Sequence, residues 1–177
     1  MAFLETMAKL IERYNSFFTE GIVNTLIIAA FSVLFGAILG TLMASLRMCR
    51  IPPLRWIAVA YIEFVRGTPL MVQLMFIYFV VLVTWTNKTA VGIIAFGLNS
   101  AAYTAEIFRS GILAVDKGQM EAGRSLGLNY MTTMRFIVIP QAVKAILPAL
   151  GNEFIILLKD TSLITVIGGK ELLYAAQ

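Results

Sequence analysis

Histidine is absent from the 177-residue chain, and Cys49 is its only cysteine. The missing imidazoles exclude His-based zinc sites, Ser-His-Asp triads and histidine proton relays. A single thiol cannot form a disulfide within the chain. Charge is also scarce, because 14% of the residues are charged, whereas ordinary soluble domains have about 25%.

Apolar residues take the place of the missing charge. Hydrophobic residues make up 59% of the chain, and the mean hydropathy is +0.85. This composition predicts an all-α integral membrane protein, because helices satisfy their own backbone hydrogen bonds in lipid. The net charge of +4 lies mostly between the apolar stretches, which favours a role in membrane orientation and argues against nucleic-acid binding.

The apolar stretches divide the chain into a surface helix and a membrane domain. Residues 1–20 place apolar side chains on one helical face, which predicts an amphipathic helix on the membrane surface. The residues of this face are Phe3, Met7, Leu10, Tyr14 and Phe17. Residues 21–177 are predicted to form one domain with four transmembrane helices. These spans cover about 21–46, 67–87, 89–106 and 140–158, and a coupling loop covers about 107–139.

Three smaller patterns accompany the spans. The first span contains a GxxxG at Gly36 and Gly40, whose spacing permits a close helix approach, although glycines are also tolerated in lipid. Two acid–base pairs stand at i,i+3 near span ends. Glu106 and Arg109, at the cytoplasmic end of the third span, are predicted to form an ion pair. Glu63 and Arg66 are expected to anchor the cytoplasmic start of the second span.

The basic residues predict the orientation. Most of them lie in 46–66 and 107–144, which three spans place on the same side of the membrane, whereas the short 84–89 loop has only Lys88. Positive loops stay in the cytoplasm, so we expect a cytoplasmic coupling loop and an external N-terminus. The basic residues are Arg47, Arg50, Arg55, Arg66, Arg109, Lys117, Arg124, Arg135 and Lys144.

The polar segment 119–140 predicts two short helices joined at a glycine. Residues 119–126 suit a helix, and Gly127 stands where a helix end needs a left-handed residue. Asn129 then caps a second helix that runs toward Pro140. Such a segment is either a docking element on the cytoplasmic side or an ordinary solvated connector.

This segment resembles the EAA loop of ATP-binding-cassette (ABC) importer permeases, which is written EAA-x3-G-x9-I-x-L-P. The matching residues are Glu121, Ala122, Gly123, Gly127, Ile137, Ile139 and Pro140. Gly123 replaces the second Ala and Ile139 replaces the Leu. Longer stretches, such as YIEFVRGTPLMVQLMFIYF (61–79) and LNSAAYTAEIFRSGI (98–112), are similar to the polar amino acid permease subfamily. The resemblance covers nearly all of the chain from Gly21.

The resemblance implies the permease subunit of an importer in the bacterial inner membrane. Its implied partners are a dimer of ABC ATPase subunits, a second permease copy or homologue, and an extracytoplasmic substrate-binding protein. Glu121, Ala122, Gly123 and Gly127 are the implied ATPase-coupling residues. The chain has no GxxxxGK[ST] motif, so we expect no cofactor on it, with ATP and Mg on the partner ATPase.

Ionisable residues inside membrane segments indicate a binding site for the transported amino acid. Glu153 and Asp160 are seven residues apart, which places them on one face of a continuous helix. Together with Lys159 and Asn99 they are the predicted substrate-binding residues, and the acidic pair favours a basic amino acid. A structural role for each of these side chains is the alternative.

The subfamily usually continues with a fifth C-terminal span, and this is absent from the sequence up to Gln177. A truncated membrane subunit with an assembly or regulatory role is therefore one alternative function. An intramembrane enzyme is another, but the missing histidines and the lack of paired intramembrane aspartates disfavour it. The sequence thus predicts a transport subunit and not an enzyme.

Overall fold

The computed structural model describes the backbone of residues 2–176 and the side chains of residues 14–176. Within this range the secondary structure is helical, with no β-strand. The helices are α1 (Ala2–Arg47), α2 (Pro52–Arg66), α3 (Leu70–Phe76, continued by a π-helical turn at Ile77–Val81), α4 (Lys88–Leu113), α5 (Lys117–Ser125), α6 (Tyr130–Thr133), α7 (Ile139–Asp160) and α8 (Leu172–Ala176). A π-helical turn, Met134–Val138, joins α6 to α7, and a 3₁₀ helix, Thr161–Ile167, follows α7.

Three helical stretches are long and apolar enough to cross a membrane. They are Tyr14–Arg47, Lys88–Leu113 and Tyr130–Ile167. A fourth span results if α2 and α3, which meet at 107°, count as one broken span. The prediction of an all-α integral membrane protein is confirmed, and the predicted first, third and fourth spans overlap these three stretches. The bent pair overlaps the predicted second span only in α3, because residues 52–66 were predicted to lie outside the spans.

The predicted second span, 67–87, is not one straight helix. Gly67 ends α2, and Pro69 stands at the N-cap of α3 with an extended backbone (φ −63°, ψ 134°). Proline has no N–H to continue a helix, and it disfavours helical geometry at the residue before it. The chain therefore bends at Thr68, and the helix that follows ends at Val81.

The third and fourth spans are longer than predicted. Helix α4 continues beyond Glu106 to Leu113, and the fourth stretch begins at Tyr130, well before Pro140. Pro140 does not end this helix, because the π-helical turn Met134–Val138 precedes it. A π-helical turn changes the local hydrogen-bond pattern, so a membrane helix can continue although proline has no N–H to donate. Only residues 114–129 separate the two long helices.

The predicted surface helix and the first span form one continuous helix, α1, with no break near Gly21. A glycine inside a helix costs about 1 kcal/mol relative to alanine, which does not end a helix by itself. Gly21 instead allows close contact with the C-terminal segment, because a Cβ there would lie 3.0 Å from Ala175 Cβ. The predicted apolar residues Phe3, Met7 and Leu10 lie outside the residues whose side chains are described.

Helices α1 and α4 approach each other closely at the GxxxG of α1. A Cβ at Gly36 would lie 2.9 Å from Ser100 Cβ, and one at Gly40 would lie 2.7 Å from Thr104 Cβ. The close-approach interpretation of this motif is therefore confirmed. On α4, the absence of a side chain at Gly97 leaves room for the ring of Phe35, because a Cβ there would lie 2.3 Å from Phe35 Cδ1.

This contact places α4 at the centre of the main core. The core joins residues of α1, α3, α4, α7 and the 3₁₀ helix, and packing of this kind, not hydrophobic exclusion, stabilises helices in lipid. The buried core residues are Ile28, Ala29, Leu74, Val91, Ala95, Phe96, Leu157, Ile164 and Ile167. Consequently, side chains on other faces of α4 have fixed positions relative to α7 and the α2–α3 corner.

We expect Gly40→Ala to lower the stability of the folded protein by about 1–3 kcal/mol, because the new methyl group overpacks the contact. It would lie 2.8 Å from the backbone oxygen of Ala101, which cannot move aside alone. The measurement is the apparent Tm of the purified protein in detergent. Gly151→Ala is the matched control, because a Cβ at Gly151 has no neighbour within 4 Å among the described residues. Equal Tm values for both variants would contradict the packing argument.

Candidate functional site

A cavity of about 340 Å³ lies between α4, α7 and the α2–α3 corner. Its volume falls within the range of small-molecule sites, roughly 300–1,000 Å³. The lining combines two carboxyl groups and one amide with aromatic and aliphatic side chains. The lining residues are Thr68, Pro69, Leu70, Phe96, Asn99, Tyr103, Glu153, Ile156, Leu157 and Asp160.

Three of the four predicted substrate-binding residues line this cavity. Glu153 and Asp160 come from α7, where their seven-residue spacing places them on one face. Asn99 comes from the facing side of α4, and both Asn99 and Glu153 are 8% exposed. Lys159 is exposed, lies outside this cavity and lines a different one, near Ser162 and Leu172. The structure therefore brings together the acidic pair and the amide, without the lysine.

Gln73 connects the cavity to the broken span. Its Nε2 donates to the backbone oxygens of Val65 (2.7 Å) and Thr68 (3.1 Å) and to Thr68 Oγ1 (2.7 Å). Its Oε1 accepts from Asn99 Nδ2 at 3.1 Å. Backbone oxygens that a helix end leaves unpaired are costly in lipid, so Gln73 both completes the bend and orients Asn99. Gln73 is not among the residues predicted from the sequence, although an amide near the start of an uncharged span was the available signal.

A cluster of charged side chains joins the ends of α1, α2 and α4. Arg47 Nη1 donates to Glu106 Oε2 at 2.8 Å, and Arg47 Nη2 donates to Glu63 Oε1 at 3.2 Å. Arg109 also donates to Glu106, with its Nε 3.1 Å from both carboxylate oxygens. The predicted ion pair between Glu106 and Arg109 is thus confirmed.

The residues of the second pair, Glu63 and Arg66, make ionic contacts with other helices. Glu63 pairs with Arg47 of α1, and Arg66 Nη1 lies 3.9 Å from Glu106 Oε2 of α4. The Arg66 guanidinium also lies over the ring of Tyr103, 5.4 Å from its centroid, and Tyr103 lines the cavity. The charged cluster therefore extends to one wall of the cavity.

The polar segment forms two helices at a left-handed glycine, as predicted. Asp116 is the N-cap of α5, and its Oδ1 accepts from Gly118 N at 2.6 Å. Gly127 has φ +81°, and Asn129 Oδ1 accepts from Thr132 N at 2.8 Å, which caps α6. No described atom lies within 4 Å of a Cβ built at Gly127, so its backbone conformation, not crowding, favours glycine there.

The four predicted coupling residues do not share one surface. Glu121 and Ala122 are exposed on α5, whereas Gly123 is buried. A Cβ at Gly123 would lie 2.5 Å from Thr133 Cγ2, so this glycine sets the distance between α5 and α6. Gly123 therefore does not lie on the exposed face of α5. It packs against Thr133, near the start of the long helix that contains Glu153.

A buried carboxylate organises the opposite end of the molecule. Glu171 is 2% exposed, and its oxygens accept from Thr165 Oγ1 (2.6 Å) and from the backbone N–H groups of Leu173 and Tyr174 (2.8 Å each). These bonds satisfy the free N–H groups at the start of α8. An acid before two leucines has no distinctive pattern, so no role of Glu171 is predictable from the sequence alone.

The family of binding-protein-dependent transport system inner membrane components matches residues 32–176 of the chain. The chain is 44% identical over 161 residues to the probable amino-acid ABC transporter permease protein YckA of Bacillus subtilis, covering 89% of this chain and 71% of YckA. It is 43% identical over 155 residues to the arginine transport system permease protein ArtQ of the same organism, covering 86% and 71%. Other relatives are named as L-cystine or glutamine transport permeases.

A solved structure titled as an amino acid ABC transporter with histidines has the same fold. It superposes with a TM-score of 0.87 at 44% identity, covering 92% of this chain and 77% of that one. The overall helical arrangement of this chain is therefore that of a solved amino acid ABC transporter chain.

We expect Gln73→Leu to lower stability by about 1–3 kcal/mol, because it removes the amide donor to the backbone oxygens of Val65 and Thr68 and the acceptor for Asn99 Nδ2. The measurement is again the apparent Tm in detergent. Gln141→Leu is the matched control, since Gln141 is exposed and bonds only to Gln119 Oε1 and the backbone oxygen of Ile137. A smaller shift for Gln73→Leu than for Gln141→Leu would contradict the role assigned to Gln73.

Proposed function

The chain belongs to the family of binding-protein-dependent transport system inner membrane components, and we propose that it is the permease subunit of an ATP-driven importer of basic amino acids. The family membership and the amino acid permeases among its relatives support the transport role. The composition of the cavity between α4 and α7 is the single observation that supports the substrate class.

The proposed assembly has four further components besides the substrate. Two ATP-binding subunits supply the energy and hold ATP and Mg, a second permease copy or homologue completes the pathway, and an extracytoplasmic binding protein delivers the amino acid. The location is the bacterial inner membrane, which the family implies. The assembly alternative and the enzyme alternative receive no support from the relatives, which are named as transport permeases.

The proposed orientation follows the basic residues. The ends of α1 and α4 and the segment with α5 contain most of the arginines, and positively charged loops remain in the cytoplasm. The N-terminus is then external, and α5 faces the ATP-binding subunits. The end that contains Lys88 and Glu171 faces outward, where a binding protein releases its ligand.

The acidic pair supports a basic substrate. Glu153 and Asp160 face the same cavity, and no lysine or arginine is among its lining residues. A cationic side chain placed between these carboxylates gains charge-assisted hydrogen bonds in a site of low dielectric. Asn99, held by Gln73, presents its amide oxygen as a further acceptor. The arginine transport permease among the relatives agrees with this substrate class.

The coupling contact is assigned to the exposed side of α5. Glu121 and Ala122 lie on it, and the neighbouring side chains of Leu126 and Tyr130 are 81% and 55% exposed. An exposed apolar surface next to charged residues is typical of a docking site for another protein. Gly123 and Gly127 determine the position of α5, so movement of the ATP-binding subunits passes to the helix that contains Glu153 and Asp160.

We expect Glu153→Gln with Asp160→Asn to lower the uptake of arginine or lysine by at least about tenfold, because charged hydrogen-bonded pairs contribute about 2–5 kcal/mol. The measurement is uptake of radiolabelled amino acids by proteoliposomes that contain the whole importer. Glu20→Gln, an exposed carboxylate on α1, is the control and keeps wild-type uptake. Unchanged uptake of every amino acid by the double variant would remove both residues from the site.

A further inference from the structure

A groove with four arginines lies where α1 ends and α2 begins. Two adjoining cavities, of about 550 and 490 Å³, share Met48, Cys49, Arg55 and Val59 in their lining. The arginines are Arg47, Arg50, Arg55 and Arg109, and no carboxylate is among the lining residues. The transport site does not include this groove, which lies at the arginine-rich end of the helices.

Two of these arginines have no acidic partner in the part of the chain whose side chains are described. Arg47 and Arg109 bind Glu106. Among the residues whose side chains are described, no salt bridge involves Arg50 or Arg55. Their positive charge is therefore free for a ligand. Guanidinium groups bind phosphate through two parallel hydrogen bonds, which makes a phosphate-bearing anion the complementary ligand.

Apolar surface begins directly beside the free arginines. Trp56 lines the groove and is 73% exposed, and Ile57 next to it is 62% exposed. Tryptophan prefers the boundary between lipid headgroups and acyl chains. A ligand that contacts both the arginines and this surface needs an anionic head and an apolar tail.

We propose that this groove binds the headgroup of an anionic phospholipid. Arg50 and Arg55 bind the phosphate, Trp56 packs against the glycerol and the upper acyl chain, and the lipid belongs to the cytoplasmic leaflet in the orientation proposed above. Basic pockets between membrane helices on the cytoplasmic side are typical sites for such headgroups. Lipid binding in this groove does not depend on which amino acid is transported, so it would still hold if the proposed substrate class were wrong.

The test uses Trp56 as a reporter of the lipid beside it. The chain has two tryptophans, so Trp85→Phe makes Trp56 the only one. The full chain is reconstituted in phosphatidylcholine vesicles, and a small fraction of the lipid is replaced by brominated phosphatidylglycerol or by brominated phosphatidylcholine. We expect the anionic lipid to quench Trp56 fluorescence more strongly at equal content. In this background, Arg50→Gln with Arg55→Gln lowers the preference by about fivefold per arginine removed.

The controls separate this site from general charge. Arg135→Gln with Lys144→Gln removes two exposed charges elsewhere and keeps the preference. Arg50→Lys with Arg55→Lys keeps the charge but loses the paired hydrogen bonds, so its preference lies between those of the wild type and the double glutamine variant. Inorganic phosphate, at an ionic strength matched with sodium chloride, does not displace the lipid. Equal quenching by the two lipids, an unchanged preference in the double glutamine variant, or displacement by inorganic phosphate would each overturn the proposal.

Discussion

The close approach of α4 to α1 fixes the position of Asn99 beside the cavity and that of Glu106 in the charged cluster. Gly36 and Gly40 allow α4 to lie almost against the backbone of α1, and in lipid such contact between small residues supplies much of the association energy. With α4 held there, Asn99 meets Gln73 of the broken span, and Glu106 meets the arginine at the end of α1. A displacement of α4 would disturb both sets of contacts together.

The second connection runs along the helix from Tyr130 to Ile167. Its beginning is packed against α5 at Gly123, and its later turns contain Glu153 and Asp160. In the proposed function, a shift of α5 moves the acidic pair relative to Asn99, because one continuous helix contains both ends. The site is then a two-state element that substrate and ATP-binding subunits both bias.

Local chemistry made much of this predictable from sequence. Spans follow from apolar length, the left-handed Gly127 and the Asn129 cap follow from residue type, and the pairing of Glu106 with Arg109 follows from spacing. The longer-range contacts were not predictable. The role of Gln73 depends on a bend that Pro69 introduces. Lys159 does not line the cavity, because adjacent residues of α7 point in different directions and Asp160 is the one that faces it. The predicted start of the fourth span at residue 140 was wrong, because the π-helical turn Met134–Val138 lets the helix continue through Pro140.

ATP hydrolysis by the reconstituted importer tests the central claim most directly, because it requires both the docking surface and the substrate cavity. The complex would contain this chain, its permease partner, the ATP-binding subunits and the loaded binding protein. We expect that a basic amino acid stimulates hydrolysis and that Ala122→Arg, which blocks the exposed face of α5, abolishes the stimulation. A complex that contains the ATP-binding subunits but hydrolyses ATP at one rate with every amino acid would contradict the proposed function.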